Sequence, residues 1–220
     1  MSKTKKTLLM MVCAVMLVLV SVMGTMAYLT STDTVTNTFT VGNVQIKLDE
    51  AAANADGSLI ADAARVKANS YKLLPGHTYN KDPMVTVLKG SEESYVKMTV
   101  TFTKAAELDA IFAPGADMTS IFKGYDSTNW IYKGNTEDTT ANTRTYEFWY
   151  KEAVAAPTAD VPLDALFDKI VVPGSITNAQ LATIKDMTIT VNAYAIQADG
   201  FEATAEKTAE QVAWDAYAAQ

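Results

Sequence analysis

Cysteine and histidine are almost missing from this chain, with one of each in 220 residues. A single thiol excludes a disulfide framework. A single imidazole leaves zinc without its usual two or three histidine ligands. Positive charge is also short: 18 Lys and Arg stand against 25 Asp and Glu, a net charge of −7. Nucleic acid is therefore not an expected partner, because its phosphates call for a basic face. No Gly-rich phosphate loop and no Gly-x-Ser-x-Gly elbow occurs. What is present is an apolar fraction of 49%, the level of a globular domain rather than a disordered tail or a polytopic membrane protein.

The charge is unevenly spread. Lys3, Lys5 and Lys6 form a basic start, residues 8–23 carry no charge, and Thr25-Met26-Ala27 then supplies small residues at the −3 and −1 positions. This is the pattern of a secretory signal peptide over residues 1–27, with an expected cut between Ala27 and Tyr28. Its apolar run of 16 residues, 8–23, falls short of the ~20 that span a bilayer. Without this segment the chain keeps 193 residues. It loses three lysines and no acid, reaches −10, and contains no cysteine, since Cys13 lies in the apolar run. A strongly acidic exported domain is expected, with membrane contact only through the signal peptide before cleavage.

Strand patterns dominate the remainder. In residues 95–103, Val96, Met98, Val100 and Phe102 alternate with Tyr95, Lys97, Thr99, Thr101 and Thr103, the period of a half-buried strand. Residues 83–88 read as a strand forming an antiparallel hairpin with it across Lys89-Gly90-Ser91-Glu92-Glu93. Val35, Phe39 and Val41 alternate on odd numbers, whereas Val44, Ile46 and Leu48 alternate on even ones, so a bulge or bend is expected at Gly42-Asn43. Further strands are predicted over 130–133, 143–151 and 187–197. Helices are predicted over 104–112, 162–170, 177–185 and 203–218, the third capped by Ser175 or Thr177 and the last docked by Val212 and Trp214. Pro75-Gly76, Pro114-Gly115 and Pro173-Gly174 each suit a type II turn. The fold class is mainly β: residues 39–220 are expected to form one jelly-roll-type β-sandwich with a few short helices.

Catalytic chemistry finds little support. His77 follows a Pro-Gly turn, reads as an exposed turn residue, and has no second ligand or elbow beside it. Asn54-Ala55-Asp56-Gly57-Ser58 has the look of part of a calcium loop, but Ala52 and Ala63 stand where its first acid and its final Glu belong. Trp130, Trp149 and Trp214 read as core rather than as a sugar platform. No catalytic residue, metal or cofactor is assigned.

Gly24-Thr25-Met26-Ala27-Tyr28-Leu29-Thr30 and Asn37-Thr38-Phe39-Thr40-Val41-Gly42-Asn43-Val44 resemble the start of the TasA/camelysin family. Leu74-Pro75-Gly76 with Lys81-Asp82-Pro83, then Ser94-Tyr95-Val96-Lys97-Met98, then Ala193-Tyr194-Ala195-Ile196-Gln197-Ala198 with Gly200-Phe201 and Ala213-Trp214, are similar to later blocks of that family. About 104–186 agrees only in general character. The resemblance implies a protein of Gram-positive type, cut by a SipW-type signal peptidase and secreted to the extracellular matrix or cell surface. There it would self-associate into biofilm-matrix fibres. It also implies the mode of assembly, in which the freed segment 28–38 of one subunit adds as a strand to the next. Tyr28, Leu29, Thr30, Thr32, Thr34 and Val35 would form this donor strand. The segment is Thr-rich, free of Gly and Pro, and has no hairpin partner beside it, which suits strand addition; the alternative is that it starts the subunit's own sheet. Two other functions stay open, a secreted camelysin-like metallopeptidase and a monomeric adhesin or ligand-binding module. The lone His77 weighs against the first.

Overall fold

A computed structural model describes residues 4–6, 10–11, 42–112 and 118–219. The chain divides into two units, 1–41 and 42–220. In the first, residues 4–6 and 10–11 are helical. Among the described residues no helix is long and apolar enough to cross a membrane. The remainder of the expected signal peptide, with Thr25 and Ala27, and the donor-strand residues Tyr28, Leu29, Thr30, Thr32, Thr34 and Val35 lie outside the described residues.

The second unit is mainly β. Its strands are β1 (Ile46–Asp49), β2 (Thr78–Asn80), β3 (Met84–Val87), β4 (Ser94–Thr103), β5 (Phe122–Lys123), β6 (Trp130–Asp138), β7 (Thr143–Tyr150), β8 (Val161–Pro162), β9 (Lys169–Val171) and β10 (Ile189–Gln197). They form three antiparallel sheets, ordered β1-β3-β8, β10-β4-β7-β6 and β2-β9-β5. The helices are α1 (Ala105–Phe112), α2 (Asn178–Thr183) and α3 (Ala209–Ala218). Thr177 and Thr208 cap α2 and α3, each accepting from the backbone of a Gln three residues on, whose side chain answers the cap's own N–H.

The alternation along β4 is reproduced in its burial. Val96, Met98 and Val100 are fully buried and Phe102 nearly so, while the intervening residues are half-exposed. Tyr146 and Phe148 of β7 extend this inner face, and it packs on the β2-β9-β5 sheet through aromatic contacts. Phe102 lies 5.1 Å from Phe122, ring centre to ring centre, and Phe122 stacks on Phe167 at 3.9 Å. One apolar cluster thus joins all the sheets, as a layered domain requires.

Three expectations are corrected. The hairpin between 83–88 and 95–103 does not form: β3 pairs with β1 and β8, and β4 with β10 and β7. The linking residues bond elsewhere, Gly90 N–H to Pro157 O and Glu92 N–H to Asn43 O, so the chain crosses from one sheet to another. Residues 162–170 are not a helix. Leu163, Leu166, Phe167 and Ile170 have helical spacing, but the N–H groups of Leu163, Leu166 and Asp168 donate to Val85, Pro83 and Lys123. Cross-strand bonds have consumed the donors a helix needs. At Pro173-Gly174 the turn is closed by Ile176 N–H on Pro173 O, which makes Pro173 the first corner instead of the second. The Pro75-Gly76 turn does form, with Gly76 at φ +73° and His77 N–H donating to Leu74 O. Pro114-Gly115 lies outside the described residues.

Candidate functional site

The four-stranded sheet ends in two edges of different character. The β6 edge carries Lys133, Glu137 and Asp138 and is interrupted by a bulge between Tyr132 and Gly134. Charge and a bulge are the devices by which an edge refuses a further strand. The β10 edge has neither. Residues 187–197 contain no charge, no Pro and no Gly, and β10 pairs along all nine residues with β4 alone among the described strands. Its inward residues are also incompletely covered. Ile189, Val191, Ala193 and Ala195 are only half-buried against the core, whereas Val96, Met98 and Val100 directly behind them are sealed. A strand laid along β10 would find unpaired backbone groups and apolar side chains to cover.

Beside the first third of β10 runs a trough. One cleft of about 360 Å³ lies between Leu48–Glu50 of the β1 end, the 67–69 segment, Lys81, Pro83 and Ile189, Thr190 and Val191. A second, of about 830 Å³, shares Asn69, Lys81 and Ile189 with it and reaches Tyr71, Leu73, Leu181 and Met187. The β1 side of the trough is closed to a further strand. Lys67 Nζ donates to Leu48 O at 2.6 Å, and Glu50 and Val66 exchange backbone bonds. Among the described residues, that leaves β10 as the side with no further strand.

The trough floor is charged and tightly paired. Asp49 accepts from Lys47 and Arg65, both at 2.6 Å, and Arg65 reaches on to Asp82 at 2.8 Å. Burial pushes the Asp49 carboxyl up, but hydrogen bonds from Lys47 and Arg65 and their charges outweigh it and hold the group below its ordinary value. Lys81 Nζ is paired with Glu50, both side chains being almost wholly buried. Tyr71 stands alongside, its hydroxyl donating to Asn80 O at 2.6 Å. Burial first, and then the Glu50 charge, raise its pKa.

No family model, curated protein or solved structure matches this chain. Its function is therefore argued from its own residues. His77 is exposed in its turn, 6.3 Å from the Tyr79 ring. Asp56 folds back on Ser58, accepting from both its N–H and its hydroxyl, so the 54–58 loop is closed on itself. Among the described residues no group of three or more His, Cys, Asp or Glu is placed to hold a metal ion. Trp130, Trp149 and Trp214 are all buried, as expected of core residues. The β10 edge was not singled out from sequence. Its signal was there: an uncharged eleven-residue run, 187–197, in a chain where 20% of residues are charged.

Proposed function

We propose that this chain is an exported, non-enzymatic subunit of an extracellular fibre, with a jelly-roll sandwich that receives the N-terminal strand of a neighbouring copy. The observation that supports it best is the β10 edge, nine uncharged residues paired on one side among the described strands, with half-covered apolar side chains. The resemblance of residues 24–44 to the TasA/camelysin start supports the donor. Cleavage after Ala27 by a SipW-type peptidase would free Tyr28 and the Thr-rich segment behind it, which until then is tethered at the membrane. Donation from copy to copy uses two different surfaces, so the contact does not close and a filament grows. Its specificity would come from β-strand register and its affinity from main-chain hydrogen bonds.

Negative-stain microscopy and sedimentation of the chain beginning at Tyr28 test this. Fibres are expected from that protein, and folded monomers after deletion of 28–36. Lysine at the exposed edge positions Thr190 and Asn192 should likewise give folded monomers, since it places charge where a strand must dock. Fibres that persist in the deletion variant would overturn the donor assignment. Persistence only in the lysine variant would overturn the choice of β10.

A second reading, a monomeric ligand-binding module, is favoured by the 830 Å³ cleft with its part-apolar lining of Tyr71, Leu73, Leu181 and Met187. It predicts a protein that remains monomeric at high concentration.

A further inference from the structure

Glu50, Asn69 and Lys81 come from three separate segments and meet in the wall between the two clefts. Glu50 is 4% exposed and Lys81 8%. One oxygen of the Glu50 carboxylate, Oε2, holds Lys81 Nζ; the other, Oε1, accepts from Asn69 Nδ2 at 3.0 Å. A single buried carboxylate therefore brings an amine and a carboxamide to its two faces. The carboxamide is fixed at its other atoms too. Asn69 Oδ1 accepts the Ala53 N–H at 2.9 Å, and Nδ2 also donates to Ala51 O at 2.8 Å. Glu50 is itself held by backbone bonds in both directions with Val66.

An ion pair with an orienting amide would need only the first two of these contacts. The third, a backbone N–H aimed at the carboxamide oxygen, is what an acyl-transfer centre requires where negative charge develops. We propose that Lys81 and Asn69 become joined by an intramolecular isopeptide bond, with Glu50 as the general base and acid of the reaction.

The step balances with no outside reagent. Glu50 Oε2 takes one proton from the Lys81 ammonium, and the freed Nζ lone pair attacks Asn69 Cγ. Charge moves onto Oδ1, where the Ala53 N–H already points. Glu50 delivers its proton to Nδ2 and takes the second proton from Nζ as Cγ–Nδ2 breaks. The Nζ–Cγ bond remains, Nζ keeps one hydrogen, ammonia leaves, and Glu50 ends protonated. Asn69 and Lys81 both line both clefts, so ammonia has a way out. Positioning the two groups on one carboxylate converts an otherwise sluggish amide exchange into a proximity-driven one. The product would close the 69–81 segment, which contains β2, into a covalent loop beside the open edge.

Tryptic mapping of the folded, then denatured, chain reads the bond directly. Peptides 68–72 and 73–89 are expected as one linked species, lighter than their sum by one ammonia and uncut after Lys81. Separate, unmodified peptides from folded protein would overturn the proposal. Glu50→Gln keeps shape and removes the base; it should give folded, unlinked protein, and a link formed at the native rate would overturn the role of Glu50. Asn69→Asp supplies a signature that a merely structural role would not give, a link formed with loss of water instead of ammonia. Circular dichroism on each variant separates loss of the bond from loss of the fold.

Discussion

The Nζ of Lys97 lies 4.6 Å from the centre of the Trp214 ring. Lys97 projects from the outer face of β4, and Trp214 from α3, so this contact ties the C-terminal helix to the sheet. Tyr194 and Tyr217, each 5.7 Å from the same ammonium, complete an aromatic enclosure. Trp214 is 3% exposed and, with Ala213, is one of the two buried residues of α3. Trp214→Ala is expected to weaken the docking of α3 by about 3 kcal/mol, whereas Lys97→Met should cost about 1 kcal/mol because its stem still packs. Hydrogen exchange of residues 209–218 measures both; equal losses would refute the aromatic contribution.

Acid should act in opposite directions on two parts of the domain. The Asp49 carboxyl has a folded pKa below its unfolded value, so its stabilisation is present above the unfolded value. It is lost as pH falls through the folded one. Glu210 is the reverse. Burial pushes it up, with Trp214 and Lys133 opposing only in part, and its Oε1 has no hydrogen-bond partner among the described residues. Its ionised form therefore costs stability at neutral pH, and that cost disappears as pH falls towards the ordinary 4.5. Amides of α3 should exchange more slowly at mildly acid pH than at neutral pH after correction for intrinsic rates. Glu210→Gln should remove the difference.

Arg144 of β7 should be a costly charge to remove. It is 7% exposed and makes two bonds to Asp109 of α1 and one at 2.7 Å to Glu137 of β6, contacts that hold its charge more firmly than usual. Arg144→Ala leaves two carboxylates that are more than a third exposed and so open to water, and is expected to destabilise by about 1–2 kcal/mol. Arg144→Lys should recover less than half, because an ammonium lacks the planar fork. Urea unfolding reads both values.

Gly57 should tolerate no side chain. Its φ is +88°, and a Cβ there would stand 2.6 Å from Tyr79 Cα and 2.7 Å from Thr78 O. Backbone cannot swing aside as a flexible side chain can. Gly57→Ala is expected to cost about 2 kcal/mol or more, measured by thermal unfolding. An unchanged midpoint would show that the 54–58 loop does not press on β2.

Period-2 patterning made β4, β7 and β10 legible in the sequence, and of the two expected caps, Ser175 and Thr177, the second starts α2. These features depend on residues close in the chain, where side-chain direction and backbone bonding are set locally. Strand partnership depends on residues far apart. Nothing within 83–103 records that β3 would turn to β1 and β8, or that β4 would take β10 from the other end of the chain. Residues 162–170 have helical spacing, and yet the N–H groups of Leu163, Leu166 and Asp168 bond to Val85 of β3, to Pro83 just before it and to Lys123 of β5. Glu50, Asn69 and Lys81 carry no mutual signal, being 31 and 12 positions apart from Lys81 in turn. The sequence by itself determined that this is an acidic, thiol-poor, strand-rich chain behind a basic and then apolar N-terminal stretch. Only the tertiary structure decided which sheet edge has no further partner among the described strands and which polar groups share one buried carboxylate, because pairing and burial are settled by contacts that no local pattern encodes.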